Sequence, residues 1–198
     1  LIRLASEGLV QMRAGRGARV MPLEVTALRD FFEALDLTSR ALNRLAAARR
    51  SADQLARIEE RMTAFEEAAA RRDDVRMSEI NHRFHEAVGE AADSSHLLFA
   101  YRRLLTQSLR LVRVCYMPRP DPEDDVATHI ECTVADHRRI TQAIKERDTD
   151  AAEASGGEHA DLFRNRVKAV LLSPPVGVRN VMVGHQPISD DPHAKGPA

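Results

Sequence analysis

From Glu24 onward the apolar residues recur every three or four positions, a spacing that predicts one amphipathic helix after another. Leu28, Phe31, Phe32, Leu35, Leu42 and Leu45 form the stripe of a first helix, from about Thr26 to Arg50. Ser51 followed by Gln54 has the form of a capping box, so a second helix starts there and runs to about Arg72. Its apolar face is Leu55, Ile58, Met62 and Phe65. A third helix covers about Val75 to Ala92, with Met77, Ile80, Phe84 and Val88 inward. "DSS" at 93–95 ends it and caps a fourth, from about His96 to Met117. "PRPDPEDD" at 118–125 reads as a loop, because proline cannot continue a helix. A fifth helix follows from about Val126 to Arg147, and Asp148 or Thr149 caps a sixth that reaches Leu172.

The two ends of the chain break this pattern. "LIRLASEGLV" reads as the last turns of a helix stopped at Gly8. "LVQMRAGRGARVMPL" then alternates around a glycine-rich tip at 15–17, which predicts a short hairpin closed by Pro22. After "SPP" the tail holds many Gly and Pro and shows no period, which predicts disorder over 173–198. The expected organisation is a hairpin fragment over 1–23 and an all-α domain over 24–172. Helices of this length joined by short loops predict an antiparallel bundle of about six helices.

Charge changes the picture in one place. The chain is 30% charged with a formal net charge of −1, so as a whole it has no broad attraction for phosphate. Residues 1–23 are the exception: Arg3, Arg13, Arg16 and Arg19 against Glu7 leave a local net charge of +3. Cys115 and Cys132 show no metal-type spacing, and two isolated thiols fit a reducing, cytoplasmic setting. No apolar run approaches the roughly 20 residues that span a bilayer, and no signal peptide is visible. The first residue is Leu rather than Met, which reads as a chain that begins inside a longer protein.

The candidate chemistry lies in the helices. In "INHRFHEAV", residues 80–88, Asn81 and His85 are one turn apart beside the stripe of Ile80, Phe84 and Val88. On the fifth helix His137 falls between the inward Ile130, Val134, Ile140 and Ile144. On the sixth His159 shares a face with Ala152, Leu162, Phe163 and Val167. Each of three helices thus turns one imidazole toward the core, and a buried imidazole needs a hydrogen-bond partner or a metal. Three that converge can hold a divalent ion with a position left open. A single inward histidine is more often an ordinary core residue, and periodicity does not show that the three meet, so both readings stand. His82 and His96 read as surface or helix-end residues, and His129 fits either side. Glu79 and His82 make an E-x-x-H of the di-iron type, but no second such motif accompanies it. No nucleophile elbow or phosphate-binding loop is present, and "GRG" at 15–17 is too short for one.

Two stretches carry a resemblance. "IRLASEGLVQMRAGRGARVMPL" resembles the end of the winged helix-turn-helix of GntR-type transcription regulators. "FFEALDLTSRALNRLAAARR", "NHRFHEAVGEAADSSHLL" and "DHRRITQAIKERDTDAAEAS", with His159, resemble the FCD ligand-binding domain of the FadR-type subgroup. The resemblance implies a metal site of zinc or nickel type, with the histidine positions on His85, His137 and His159. The family's acidic ligand falls on Asn81, which brings an oxygen but no charge and so implies weaker metal binding. An inward arginine that often holds an effector carboxylate is Leu35 here, with Ser39 one turn on. Arg110 and Arg113 on the fourth helix are the substitutes for holding an organic-acid effector. Gly156 and Gly157 inside the sixth helix are expected to cost about 1 kcal/mol each and to loosen it.

The function implied is a bacterial, dimeric regulator. A small molecule in the helical domain, held in part by the metal, would shift binding of double-stranded operator DNA. Arg13, Arg16 and Arg19 of the wing would touch the DNA. The alternative from the same residues is a metal-dependent helical enzyme, which lacks a general-base carboxylate at position 81.

Overall fold

The computed structural model describes residues 1, 2, 5, 10–13, 15, 17–20, 25–117 and 125–172, with the side chains at 13, 20, 25, 26, 110, 114 and 172 outside that description. The expected helix stop at Gly8, the proline loop and the tail therefore lie outside the described residues. Strand β1 (Val10–Arg13) pairs antiparallel with β2 (Gly17–Val20), Val10 opposite Val20 and Arg13 opposite Gly17. Gly15 and Gly17 both take positive φ at the tip, a conformation that costs a glycine nothing.

Six helices follow among the described residues: α1 (Val25–Arg49), α2 (Ala52–Ala70), α3 (Asp74–Ala91), α4 (Ser95–Tyr116), α5 (Val126–Glu146) and α6 (Thr149–Leu172). Each lies within two residues of its expected span. The capping box is complete, since the Ser51 hydroxyl accepts from the Gln54 amide while the Gln54 side chain accepts from the Ser51 amide. Asp148, not Thr149, caps α6 by accepting from the Ala151 amide at 2.9 Å. Ser94 precedes α4 but makes no side-chain cap bond, so the break there comes from the left-handed Asp93 rather than from a serine cap.

The helices form an antiparallel all-α bundle. Helix α1 packs against α3, α4, α5 and most extensively α6, while α2 covers α3 and α5. At one end arginines bind helix C-terminal carbonyls reciprocally. Arg50 donates to Ile144 and Lys145 of α5, and Arg147 donates back to Ala48 and Arg50. These bonds satisfy carbonyls that a helix end leaves without partners.

Two apolar clusters fill the interior. The larger includes Leu42, Ile58, Phe84, Val88 and Ile140, and the smaller includes Phe65, Met77, Ile80 and Tyr116. Gly156 and Gly157 prove to be packing residues in the α1–α6 seam. A Cβ at Gly156 would lie 2.6 Å from Nδ2 of the buried Asn43, and one at Gly157 would fall on the Arg40 guanidinium. The expected loosening of α6 is therefore offset by the close approach that the missing side chains permit.

Candidate metal centre

The α3, α5 and α6 stripes carry their histidines to one point between the two clusters. Phe84 and His85 are consecutive, so the phenyl that anchors α3 also fixes the level of the imidazole. The His137 ring is fully buried and stacks on Phe84 with centroids 4.2 Å apart, while Phe65 meets it edge-on at 4.6 Å. His85 lies 5.1 Å from His137 and 4.9 Å from His159, centroid to centroid, and His137 and His159 are 4.8 Å apart. One nitrogen from each of the three rings lies within 4.8 Å of the others. The structure thus brings together the three histidines that the helical period and the resemblance both select.

The arrangement fits a divalent ion. Nε2 of His85 and Nε2 of His159 face each other at 3.1 Å. With metal–nitrogen bonds of about 2.0–2.1 Å, that separation corresponds to a ligand–metal–ligand angle of roughly 100°. Both ring nitrogens of His137 are enclosed and have no hydrogen-bond partner among the described residues. Leaving such an atom unanswered costs about 1–3 kcal/mol, and a metal would answer one of the two. Burial holds both His85 and His137 well below the ordinary imidazole value, with further lowering from the neighbouring His159. Both are therefore neutral at pH 7 and offer lone pairs, the form that metal ligation requires.

A residue without a stripe signal completes the group. Asp136 is buried on α5, and its Oδ2 lies 3.3 Å from Nδ1 of His159. Its other oxygen accepts from Arg139, which also reaches Glu158 on α6. Asp136 is easy to pass over in the sequence, because one buried acid in a 30% charged chain has no periodicity of its own. The usable signal was its place next to His137.

Asn81 is buried beside His85 in the wall of a cavity of about 40 Å³, which His85 and His159 also line. Its Oδ1 is 3.4 Å from the Tyr116 hydroxyl, a long contact. Leu35 and Ser39 of α1 line the same space, as do Tyr101 and Ser108 of α4. Burial pushes the Tyr101 hydroxyl up to about 12, against the opposing hydrogen bond with Ser39, so it stays a protonated donor. Burial likewise raises Tyr116. The volume suits a few waters or one small ligand group.

Other expectations fall elsewhere. Arg113 is exposed on the outside of α4 and pairs with Asp74 at 4.0 Å, because it lies one residue past the cavity-lining Val112 and so about 100° around the helix. It does not serve the cavity as expected. The Arg110 side chain lies outside the described residues. His82 is half-buried rather than external, and its Nδ1 is enclosed without a hydrogen-bond partner among the described residues. His129 is buried and joins the cavity wall. Glu79 is exposed and bonded to Arg76, and it is not part of the histidine cluster found among the described residues. In the hairpin Arg19 is exposed, whereas Arg16 and the Arg13 side chain lie outside the described residues.

The FCD domain model matches residues 26–162, which is most of the chain. The fold and site thus define a class, an all-α FCD domain whose three inward histidines meet beside a cavity. The fold is similar to E. coli McbR/YncC, with TM-score 0.70, 14% identity and coverage of 86% of this chain and 80% of that one. It is also similar to a transcriptional regulator GntR from Rhodococcus sp. RHA1, with TM-score 0.67, 16% identity and coverage of 85% and 76%. Streptococcus agalactiae GntR aligns with TM-score 0.58, 20% identity and coverage of 83% and 78%. A comparison with curated proteins finds no match. The chain belongs to the FCD domain family.

Proposed function

We propose that this chain is the effector-sensing part of a dimeric, DNA-binding regulator, and that His85, His137 and His159 hold a divalent metal of zinc or nickel type. The observation that carries the reading is the convergence of three imidazole nitrogens, two of them on rings that line the cavity. Asn81 lies in the same wall and contributes an uncharged oxygen to the ion or to the effector. The bound ion would supply a Lewis-acidic position for an anionic oxygen. The chain's own groups then orient the ligand: Tyr101, Ser39 and Ser108 bring hydroxyls, and Leu105 and Phe163 enclose its apolar part.

Control works as a population shift. A ligand that binds one arrangement of the bundle more tightly changes the share of dimers whose two heads match the operator half-sites. Arg13, Arg16 and Arg19 of the hairpin add phosphate or minor-groove contacts, whose strength falls with salt. The test is operator binding by the full-length gene product, with and without zinc or nickel and small carboxylates, alongside metal analysis. Stoichiometric metal that is lost in His85→Ala, and operator affinity that responds to metal or acid, are expected. Metal-free protein whose operator binding ignores both overturns the reading.

A further inference from the structure

The three imidazoles and the Asn81 amide are all uncharged donors. A divalent ion among them brings its whole charge into the interior, and burying an uncompensated charge is costly. The question is what balances it. One buried carboxylate touches the set. Asp136 is 5% exposed, sits beside His137 in sequence, and places Oδ2 3.3 Å from Nδ1 of His159.

We infer that Asp136 is the charge-balancing and positioning residue of this centre, acting on the ion through His159. The inference rests on the metal reading above. The contact assigns the His159 tautomer. In this contact the ring N–H donates to the carboxylate oxygen, which puts the ring proton on Nδ1 and the lone pair on Nε2. That is the atom facing His85 at 3.1 Å. A carboxylate behind a ligating imidazole also raises its basicity and fixes its plane, and removing such a partner typically weakens metal affinity about 10–100-fold.

Asp136 is itself held. Arg139, one turn along α5, donates to its second oxygen and reaches across to Glu158, the residue before His159. Arg139 is half exposed, whereas Asp136 and His159 are largely enclosed. The guanidinium thus stays mostly in water while the carboxylate faces inward. The group Arg139–Asp136–His159, closed by Glu158, fastens α5 to α6 at the level of the site.

The role is tested with full-length protein by titrating zinc and nickel against a competing chelator and by thermal unfolding without metal. Asp136→Asn keeps the shape and removes the charge, and its metal affinity should fall at least tenfold. The double variant Asp136→Asn, Asn81→Asp returns a negative charge on the cavity side of the same centre and should recover most of that loss. A carboxylate at 81 also ligates directly, so Asn81→Asp alone is measured as well, and a merely structural role for Asp136 predicts that Asp136→Asn costs the same factor in both backgrounds. Wild-type protein that takes up metal, with Asp136→Asn binding it within threefold, overturns this inference and leaves the metal reading standing. A weakened Asp136→Asn that Asn81→Asp fails to restore also overturns the charge-balancing role. Wild-type protein that takes up no metal overturns both.

Discussion

Replacing Gly156 or Gly157 with alanine should change stability in opposite directions, although both are glycines in the middle of one helix. Alanine is favoured over glycine there by about 1 kcal/mol, so each substitution starts with the same gain. The surroundings then decide. At Gly156 the new methyl would lie 2.6 Å from Nδ2, 3.0 Å from Cγ and 3.2 Å from Cβ of Asn43. Swinging the Asn43 side chain about its Cα–Cβ bond relieves the first two contacts but not the last, because Cβ is fixed to the α1 backbone. The seam between α1 and α6 must open, and overpacking of this kind costs about 1–3 kcal/mol. Rotation would also break the bond from Asn43 Nδ2 to the Ser39 carbonyl, for about 1 kcal/mol more. Gly156→Ala should therefore destabilise by about 1–3 kcal/mol net.

At Gly157 the three atoms nearest the methyl all belong to the end of the Arg40 side chain, which is 38% exposed and can swing into water. The penalty is at most the one-turn pair with Asp36, worth about 0.3–0.5 kcal/mol. Gly157→Ala should be neutral or stabilising by up to about 1 kcal/mol. Urea unfolding of the metal-free proteins measures the gap, and at this chain length each kcal/mol moves Tm by about 2–4 °C. Gly156→Ala as stable as Gly157→Ala, or more so, would refute the seam argument.

Acid should weaken the metal-free fold through His85 and His137. Burial depresses both, so as pH falls below their ordinary 6.5 the unfolded chain takes up protons that the folded chain refuses. Stability is unaffected above that pH and drops below it, by up to about 1.4 kcal/mol per pH unit for each ring; a urea midpoint that holds or rises from neutral to mild acid contradicts this. Zinc or nickel at a hundredfold excess over its Kd should stabilise by about 2.7 kcal/mol, an increment that chelation or His137→Ala removes. Ser51→Ala should cost about 0.5–2 kcal/mol by undoing the reciprocal cap, and recovery in Ser51→Asp would trace the loss to that cap. Phe84→Ala should cost about 3–5 kcal/mol and lower metal affinity as well, since the phenyl both fills the core and backs the His137 ring; unfolding curves and chelator competition report the two effects separately.

The helices were legible because their signals are local. The Ser51–Gln54 box, the acid at 148 and the stripes of α2 to α5 each depend on neighbours within a turn or two. The three histidines could be picked out for the same reason, as inward positions of periodic helices. What periodicity lacks is distance between helices. It could not put His85 and His159 nitrogens 3.1 Å apart, nor reveal that Gly156 is small because Asn43 is near. Asp136 carries no such local signal, since its partner is 23 residues away on another helix. The misreadings have local causes too. The fourth helix offers Arg113 for an effector carboxylate, but one residue separates it from the lining face, and the period of the third helix puts His82 outside, although its Nδ1 is enclosed.

The cavity wall also makes the chain its own optical probe. It has no tryptophan and only two tyrosines, and both Tyr101 and Tyr116 border the histidine-lined space. Ultraviolet emission and near-ultraviolet dichroism from tyrosine therefore originate at the site itself, with no background from elsewhere in the fold. A quenching ion such as nickel, or a ligand that touches either hydroxyl, would register directly in that signal, without a dye, a label or an engineered reporter.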